Sequence, residues 1–273
     1  MLKTYILNVS ALEDPILFEQ LYNMIPASRK AKVDKFRFEA DKRLSLGASA
    51  LFAYAVSKAI DEGIADDMSE EAESGNHAII QTNAEEVKSY LNNIYSGYKR
   101  KDMKYIDTLG TQSYGDNKTA NEAYLNFEQN LELEYGPKGK PFLKNHKNIF
   151  FNLSHSGDYA LCVVSDREVG CDIQRMDELK MKVAKRFFAE SEYKLLEGLE
   201  DDEAKRRLFY RIWVLKESFI KMTGLGLSQE MSTFSFIFDD EEVLIDQEIS
   251  NEKYKFYEAE QGYDYKIAVC YLS

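Results

Sequence analysis

The sequence has few of the residues that build zinc sites and disulfide frameworks. Its 273 residues include three cysteines and three histidines, and they contain no Cys-x-x-Cys pair. Because a structural zinc site takes four Cys or His ligands at close spacing, this composition argues against bound zinc. Cys162, Cys171 and Cys270 lie in separate apolar segments, which indicates buried free thiols in a reducing compartment.

Long hydrophobic runs and an excess of positive charge are also missing. No apolar run approaches the roughly 20 residues of a membrane-spanning helix, and residues 1–7 predict a first strand rather than a signal peptide. The net charge is −12, so nucleic-acid binding would need a concentrated basic patch. We therefore expect a cytoplasmic monomer that binds neither a membrane nor nucleic acid.

Two common catalytic motifs are absent as well. Without a P-loop, a nucleotide hydrolase of that type is disfavoured. Ser154 and His155 are adjacent in the sequence, and no nucleophile elbow is present, which argues against a Ser-His hydrolase.

The clearest feature that is present is a long amphipathic helix ending near Gly224, a predicted C-terminal cap. One face carries Trp213, Glu217 and Lys221, so that a carboxylate and an ammonium lie one turn apart. Taken alone, this is an ordinary solvated ion pair at a spacing of four residues. The other face is apolar at three- and four-residue spacing, with Leu208, Ile212, Leu215, Phe219 and Met222.

A second feature is an acid within a strand that is otherwise apolar. Residues 149–153, 159–164 and 169–174 predict three short strands in a β-meander, with a tight turn over residues 154–158. Side chains alternate in the third strand, so that Asp172 and Gln174 share one face. A buried Asp172 needs a partner, and a hard cation with oxygen ligands would be one.

The remaining segments predict an α+β chain. A basic segment over residues 26–37 places Arg29 and Lys32 on one helical face, and it is either a solvated surface or an anion site. Residues from about 63 to 130 are polar without a sustained period, which indicates an insertion or mobile excursion, with or without short helices. A loose repeat of strand, helix and strands predicts two similar halves, at 1–167 and 168–273, with a ligand site between them.

Three motifs together resemble the Sfp-type 4′-phosphopantetheinyl transferases. They are Phe-Asn-Leu-Ser-His-Ser-Gly at 151–157, Val-Gly-Cys-Asp-Ile at 169–173 and Trp-Val-Leu-Lys-Glu-Ser-Phe-Ile-Lys at 213–221, supported by Gly-Lys-Pro at 139–141. The resemblance covers about three quarters of the chain, all but residues 63–130. It implies two α/β halves related by pseudo-twofold symmetry, with coenzyme A and Mg²⁺ bound between them.

The resemblance also implies a reaction and a set of site residues. A serine hydroxyl of an apo acyl or peptidyl carrier protein attacks the β-phosphorus of coenzyme A, phosphopantetheine is transferred, and 3′,5′-ADP leaves. Asp172, Glu217 and Lys221 would be catalytic, with Glu217 or an adjacent water taking the serine proton. Mg²⁺ would be held by Asp172, Glu217 and Gln174. Coenzyme A would be held by Arg29, Lys32, Arg43, Lys140, Ser154, His155, Lys216 and Lys221.

Several interpretations stay open at this point. Lys216 is either a phosphate neighbour or structural, Ser154 and His155 could simply stabilise a turn, and Glu192 is either a family acid or a helix N-terminal carboxylate. Gln174 stands where the family pattern has a second acid, so we expect weaker or more Mg²⁺-dependent activity.

The alternative function is a non-catalytic coenzyme A or carrier-protein binding module of the same fold. A mere binder has no need of Asp172, Glu217 and Lys221 together, which disfavours it. An acidic carrier protein would dock on a basic helical face of the second half, with Lys180, Lys182, Lys185 and Arg186. The sequence does not name the carrier.

Overall fold

The computed structural model describes residues 2–63, 78–102, 127–226, 230–239 and 242–273, with side chains left out for 95–102. The N-terminal part is built from two strands and four helices around a short 3₁₀ turn at Ser10–Glu13. These elements are β1 (Leu2–Asn8), α1 (Pro15–Met24), α2 (Ala27–Val33), α3 (Glu39–Asp61), β2 (Ile79–Thr82) and α4 (Ala84–Asp102).

The remainder of the chain contains nine strands and three long helices in its described residues. They are β3 (Leu133–Tyr135), β4 (Pro141–Leu143), β5 (Phe150–Ser156), β6 (Tyr159–Ser165), β7 (Val169–Arg175), α5 (Met181–Phe187), α6 (Glu190–Gly198), α7 (Asp202–Thr223), β8 (Ser235–Phe238), β9 (Val243–Asp246), β10 (Tyr254–Gln261) and β11 (Tyr265–Leu272). The prediction of an α+β chain is confirmed.

Two sheets organise these elements. The first has the order β2-β1-β6-β5, and the second has the order β10-β11-β7. Strands β1 and β2 pair in parallel, whereas the other neighbours in both sheets are antiparallel. Two short hairpins, β3-β4 and β8-β9, complete the strand pairing among the described residues.

Each sheet carries a long helix, and the two sheets share an apolar core. Helix α3 contributes the buried run from Leu46 to Val56 to the core of the first sheet. Between the sheets, Leu161 and Val163 of β6 pack in one cluster with Val169, Cys171 and Ile173 of β7. The predicted alternation in β7 is therefore correct, because its odd-numbered side chains enter this core and Asp172 faces the other way.

The predicted three-stranded meander is wrong at its third strand. Strands β5 and β6 pair as predicted, but β7 pairs with β11 and so belongs to the second sheet. The predicted turn over residues 154–158 is also displaced, because β5 continues through Ser156 and the chain reverses at Gly157. Ser154 and His155 are consequently strand residues.

The segment predicted as an insertion, about 63–130, contains regular structure. Strand β2 completes the first sheet beside β1, and Val87 and Leu91 of α4 are fully buried in the core of that sheet. Residues 64–77 and 103–126 of this segment lie outside the described residues. The division at 1–167 and 168–273 and the approximate twofold symmetry stay predictions.

No helix within the described ranges is long and apolar enough to cross a membrane.

Candidate active site

Helix α7 presents Glu217 and Lys221 toward strand β7. Asp201 caps its N-terminus by accepting a hydrogen bond from the Ala204 backbone N–H at 2.7 Å. Gly224 ends the helix in the left-handed conformation, with φ of 68°, as the sequence predicts. Between these caps the apolar stripe is buried except at Leu208, which is partly buried. This packing fixes the rotation of the helix and the direction of Glu217 and Lys221.

Gly170 allows the helix and the strand to approach closely. A Cβ atom at this position would lie 2.1 Å from the Ser218 carbonyl oxygen and 2.3 Å from the Met222 backbone nitrogen. No side chain can occupy that space unless the two backbones separate. The glycine of the Val-Gly-Cys-Asp motif thus brings α7 against the strand that carries Asp172.

Asp172 is buried, and both of its carboxylate oxygens accept hydrogen bonds. Its Oδ1 accepts from Ser154 Oγ at 2.7 Å and from Lys221 Nζ at 2.6 Å. Its Oδ2 accepts from Gln174 Nε2 at 3.1 Å, which is its one hydrogen bond from the described residues. A carboxylate with 1% exposure needs such partners to offset the cost of its burial.

Lys221 uses its ammonium group to join the helix to the strand. Besides Asp172, it donates to Ser154 Oγ at 3.0 Å and to the Cys171 carbonyl oxygen at 3.1 Å. Burial acts to lower the pKa of Lys221, but the Asp172 carboxylate beside it outweighs this effect and raises the pKa above its ordinary value. Lys221 is therefore a fixed cation at neutral pH.

Glu217 is half-buried and has no hydrogen-bond or ion-pair partner among the described residues. Burial raises the pKa of the Glu217 carboxyl, and the nearby Asp172 carboxylate raises it further, while Lys221 partly opposes both effects. Two acids that are far apart in the sequence thus face each other across the β7–α7 contact. One ammonium against two carboxylates leaves an excess of negative charge.

This arrangement fits a small hard cation. Asp172 and Glu217 offer carboxylate oxygens, and the Gln174 side-chain amide lies against Asp172, so the available donors are all oxygen, as Mg²⁺ prefers. No group of three acids, cysteines or histidines occurs within the described part of the chain. The third donor would therefore be an amide, which adds no charge.

A basic cavity lies at the surface of helix α2. Its volume is about 520 Å³. Arg29 is 8% exposed, and its Nε and Nη2 atoms have no hydrogen-bond partner among the described residues. Burial lowers the pKa of Arg29, and desolvation followed by the Arg29 charge lowers the pKa of Lys32. The lining residues are Ser28, Arg29, Ala31, Lys32, Lys35, Phe36, Tyr135, Gly139 and Pro141.

An unpaired buried guanidinium is a strong indication of an anion site. Hydrogen bonds from an ionised donor to an oxyanion would satisfy Nε and Nη2 and offset the cost of burying the charge. The guanidinium also lies 4.6 Å from the centre of the Phe52 ring, a contact that holds it in place.

The imidazole of His155 is affected by charges of both the basic cavity and the site around the acid pair. Desolvation lowers the pKa of its imidazole, and the cations of Lys221 and Lys32 lower it further. The charges of a residue of α2 and of a residue of α7 thus both act on this exposed residue of β5.

Three of the residues predicted to bind coenzyme A are committed to other contacts. Lys216 is fully buried and pairs with Glu192 at 2.8 Å, and it donates to the carbonyl oxygens of Met231 and Phe234, each at 2.7 Å. All three ammonium protons are thus used inside the protein, so Lys216 is structural. The Glu192 carboxylate also accepts from the Ala189 and Phe236 backbone N–H groups, which makes it structural as well.

Lys140 and Arg43 are not among the residues that line the basic cavity. Lys140 pairs with Glu168 and donates to the Met222 carbonyl oxygen at 2.7 Å, so it caps the C-terminal end of α7. Its neighbours Gly139 and Pro141 line the basic cavity, and alternation along the chain turns Lys140 to the opposite side. Arg43 pairs with Glu13 at 3.4 Å.

Sequence reasoning missed two sets of residues. Lys35 lines the basic cavity with Arg29 and Lys32, and their spacing of three residues on a helix could have indicated it. Asn152 and Ser156 flank Ser154 on β5 and accept hydrogen bonds from backbone N–H groups of β7. The sequence feature that could have indicated Asn152 and Ser156 is the alternation along the strand. It places both on the face of Ser154, opposite Phe151, Leu153 and His155.

Comparisons with known proteins bear on the C-terminal region most directly. Residues 168–270 match the family model described as the 4′-phosphopantetheinyl transferase superfamily. The chain is 38% identical over 135 residues to 4′-phosphopantetheinyl transferase Sfp of Bacillus subtilis, covering 48% of this chain and 59% of that protein. It is 32% identical over 144 residues to 4′-phosphopantetheinyl transferase gsp of Aneurinibacillus migulanus, covering 53% of this chain and 60% of the relative.

The chain therefore spans about 60% of the length of these two relatives. Among solved structures, a holo-(acyl-carrier-protein) synthase from Bacillus anthracis, in complex with CoA (3′,5′-ADP), matches with a TM-score of 0.35 and 16% identity. That match covers 38% of this chain and 94% of the synthase.

Proposed function

Because residues 168–270 match the family model of the 4′-phosphopantetheinyl transferase superfamily, we propose that this protein transfers 4′-phosphopantetheine from coenzyme A to a carrier protein. The acceptor is a serine hydroxyl of an apo acyl or peptidyl carrier protein. Its oxygen bonds to the β-phosphorus of coenzyme A, the bond from that phosphorus to the bridging oxygen breaks, and 3′,5′-ADP leaves. The serine proton passes to Glu217 or to a water beside it.

The observation that carries the proposal is the meeting of Asp172 and Glu217 beside Lys221. A divalent ion held there would neutralise charge on the pyrophosphate during transfer. Asp172 Oδ1 accepts from Lys221 and Ser154, whereas Oδ2 accepts from the Gln174 amide, so a turn of that amide would leave Oδ2 and Glu217 for a cation. A binding module without chemistry would not require two carboxylates that repel each other in a partly buried site.

Coenzyme A supplies the anion for the basic cavity. We assign its 3′-phosphate to Arg29 and Lys32, with Lys35 at the edge and His155 between the phosphates and the acid pair. Arg29 has two unpaired donors for the phosphate oxygens. Lys221 has its ammonium next to the acid pair and would counter the charge of the pyrophosphate.

Gln174 sets the strength of the metal site in this proposal. Its amide donates to Asp172 Oδ2, so it must turn to offer its own oxygen to a metal. Gln174→Glu would add a charged ligand, and we expect the Mg²⁺ concentration for half-maximal activity to fall several-fold. Gln174→Ala is the control, and an unchanged Mg²⁺ dependence in Gln174→Glu would contradict a role for this position in metal binding.

The deciding experiment is transfer to carrier proteins. The purified full chain is incubated with coenzyme A, Mg²⁺ and each member of a panel of apo carriers from fatty-acid, polyketide and nonribosomal peptide systems, and intact mass is measured. We expect at least one carrier to gain the mass of phosphopantetheine, with EDTA and Glu217→Gln as negative controls. Coenzyme A binding without modification of any carrier would favour the non-catalytic module.

A further inference from the structure

The two sheets meet along strands β5 and β7, and side chains of one strand bond to the backbone of the other. Three alternate residues of β5 each present a side-chain oxygen that accepts a backbone N–H of β7. The three hydrogen bonds run from Cys171 N to Asn152 Oδ1 at 3.0 Å, from Ile173 N to Ser154 Oγ at 3.4 Å, and from Arg175 N to Ser156 Oγ at 3.0 Å. This row of side chains replaces the backbone ladder that would otherwise join two edge strands.

Ser154 differs from the other two members of the row. Its hydroxyl proton goes to Asp172 Oδ1 at 2.7 Å, and its oxygen also accepts from Lys221 Nζ at 3.0 Å. With one proton donated and two bonds accepted, the hydroxyl has no capacity left for a ligand. It is also buried, at 6% exposure.

We propose that Ser154 is a positioning residue for the metal site. Together with Lys221 it occupies Asp172 Oδ1 and so fixes the rotation of the carboxylate, which leaves Oδ2 facing Gln174 as the metal-binding oxygen. Through Oδ1, Ser154 also links the Asp172 carboxylate to the contact between the two sheets, because the same hydroxyl accepts the Ile173 N–H. The kinetic consequence rests on the proposed transferase function, whereas the structural one does not.

This assignment differs from a role in phosphate binding. A serine that contacts the 3′-phosphate would change the preference for coenzyme A over dephospho-coenzyme A, which lacks that phosphate. A serine that orients Asp172 would instead change kcat and the dependence on metal. Outer partners of metal ligands typically change metal affinity or activity by about 10- to 100-fold when removed.

The test compares Ser154→Ala with Ser156→Ala. Both variants remove one bond of the same row, but only Ser154 contacts Asp172. We expect Ser154→Ala to lower kcat and to raise the Mg²⁺ concentration for half-maximal rate, each by about tenfold or more. Its KM for coenzyme A and its preference over dephospho-coenzyme A should stay within twofold, and Ser156→Ala should leave all four quantities within twofold.

Two measurements do not depend on catalysis. In a titration with Mn²⁺ followed by the electron paramagnetic resonance of the free ion, the dissociation constant should rise about tenfold in Ser154→Ala and stay within twofold in Ser156→Ala. In urea unfolding, the midpoint shift caused by Ser154→Ala should shrink by half or more in an Asp172→Ala background, because the two groups interact directly. The shift caused by Ser156→Ala should be the same in both backgrounds.

The outcomes separate this inference from the proposed function. If no carrier is modified by the wild-type chain, the transferase proposal fails, and Mn²⁺ binding and the unfolding comparison still decide the role of Ser154. If Asp172→Ala does not fold, Mn²⁺ binding and kinetics decide it. Equal effects of the two serine variants, or a loss of preference for coenzyme A over dephospho-coenzyme A in Ser154→Ala, would overturn the inference.

Discussion

At the scale of single residues, two buried cations show that burial alone does not identify a ligand-binding residue. Lys216 has three acceptors for its three protons, including the Glu192 carboxylate, so its charge is balanced inside the protein. Arg29 is nearly as buried, yet Nε and Nη2 have no acceptor among the described residues. An uncompensated buried charge costs several kcal/mol, and an anionic ligand would remove that cost.

We predict that Arg29→Met weakens coenzyme A binding without destabilising the free protein. Loss of charge-assisted hydrogen bonds to a phosphate should raise the KM for coenzyme A roughly ten- to hundredfold. The urea midpoint without ligand should be unchanged or higher, because an unpaired charge is removed. Arg37→Met is the matched control, since Arg37 is exposed and lies outside the cavity lining. Equal KM values for the two variants would contradict the assignment.

Glu217 gives a prediction about pH. Burial and Asp172 raise the pKa of Glu217 in the folded protein above its ordinary value of 4.5. The folded state therefore binds this proton more tightly than the unfolded chain, so the contribution of Glu217 to stability is greatest below pH 4.5 and is lost as the pH rises through the raised value. Without metal, Glu217→Gln should raise the urea midpoint at pH 7.5, and the gain should shrink toward pH 4.5.

The same substitution should lower transfer by at least about 100-fold, because a proton acceptor and metal ligand is lost. For the wild-type chain, kcat/KM should fall as the pH drops through the Glu217 pKa. Asp177→Asn serves as the control, because Asp177 is exposed and pairs with Arg175 outside the acid pair. A midpoint gain that is constant with pH would contradict the raised pKa.

At the scale of elements, the contact between β7 and α7 determines whether the site exists. Gly170 permits that contact, since a Cβ would overlap the backbone of Ser218 and Met222. We predict that Gly170→Ala destabilises the protein by about 1–3 kcal/mol through overpacking. It should also reduce Mg²⁺-dependent transfer strongly. When the added methyl group separates β7 from α7, it also separates Asp172 on the strand from Glu217 on the helix. Urea unfolding and the carrier assay measure both effects.

Gly198→Ala is the control for this prediction. Gly198 ends helix α6 without a positive φ, and a Cβ there would meet nothing within 4 Å. Alanine at such a position should be neutral or slightly stabilising. If Gly170→Ala matched this control in stability and activity, close helix–strand packing would not be the reason for the glycine.

The elements also show which features a sequence can predict. Helix α7 and its cap follow from local periodicity and Gly224, and the alternation in β7 separates Asp172 from the core residues, so the acid pair was accessible to sequence reasoning. The partners of Lys216 and Lys140 were not, because Glu192, Met231 and Glu168 reach them through tertiary packing. Strand β7 resembled the third strand of a meander because its length and alternation are local, whereas its pairing with β11 joins residues about a hundred positions apart.

At the scale of the whole molecule, charge is distributed unevenly. The net charge is −12, but Lys182, Lys185 and Arg186 of α5, with Lys180 just before it, are exposed. None of these four cations has an ion pair with the described residues. A basic face on an acidic protein attracts an acidic partner to one place and repels it elsewhere, which favours correct encounter.

We therefore predict that charge reversal in Lys182→Glu/Lys185→Glu raises the KM for an acidic carrier protein. The effect should be about tenfold at low salt and smaller at 0.5 M NaCl, because screening weakens interactions between exposed charges. The KM for coenzyme A should not change, since neither lysine lines the basic cavity. Lys253→Glu/Lys255→Glu changes the net charge equally at exposed positions elsewhere. If that control raised the carrier KM as much, the total charge rather than helix α5 would govern docking.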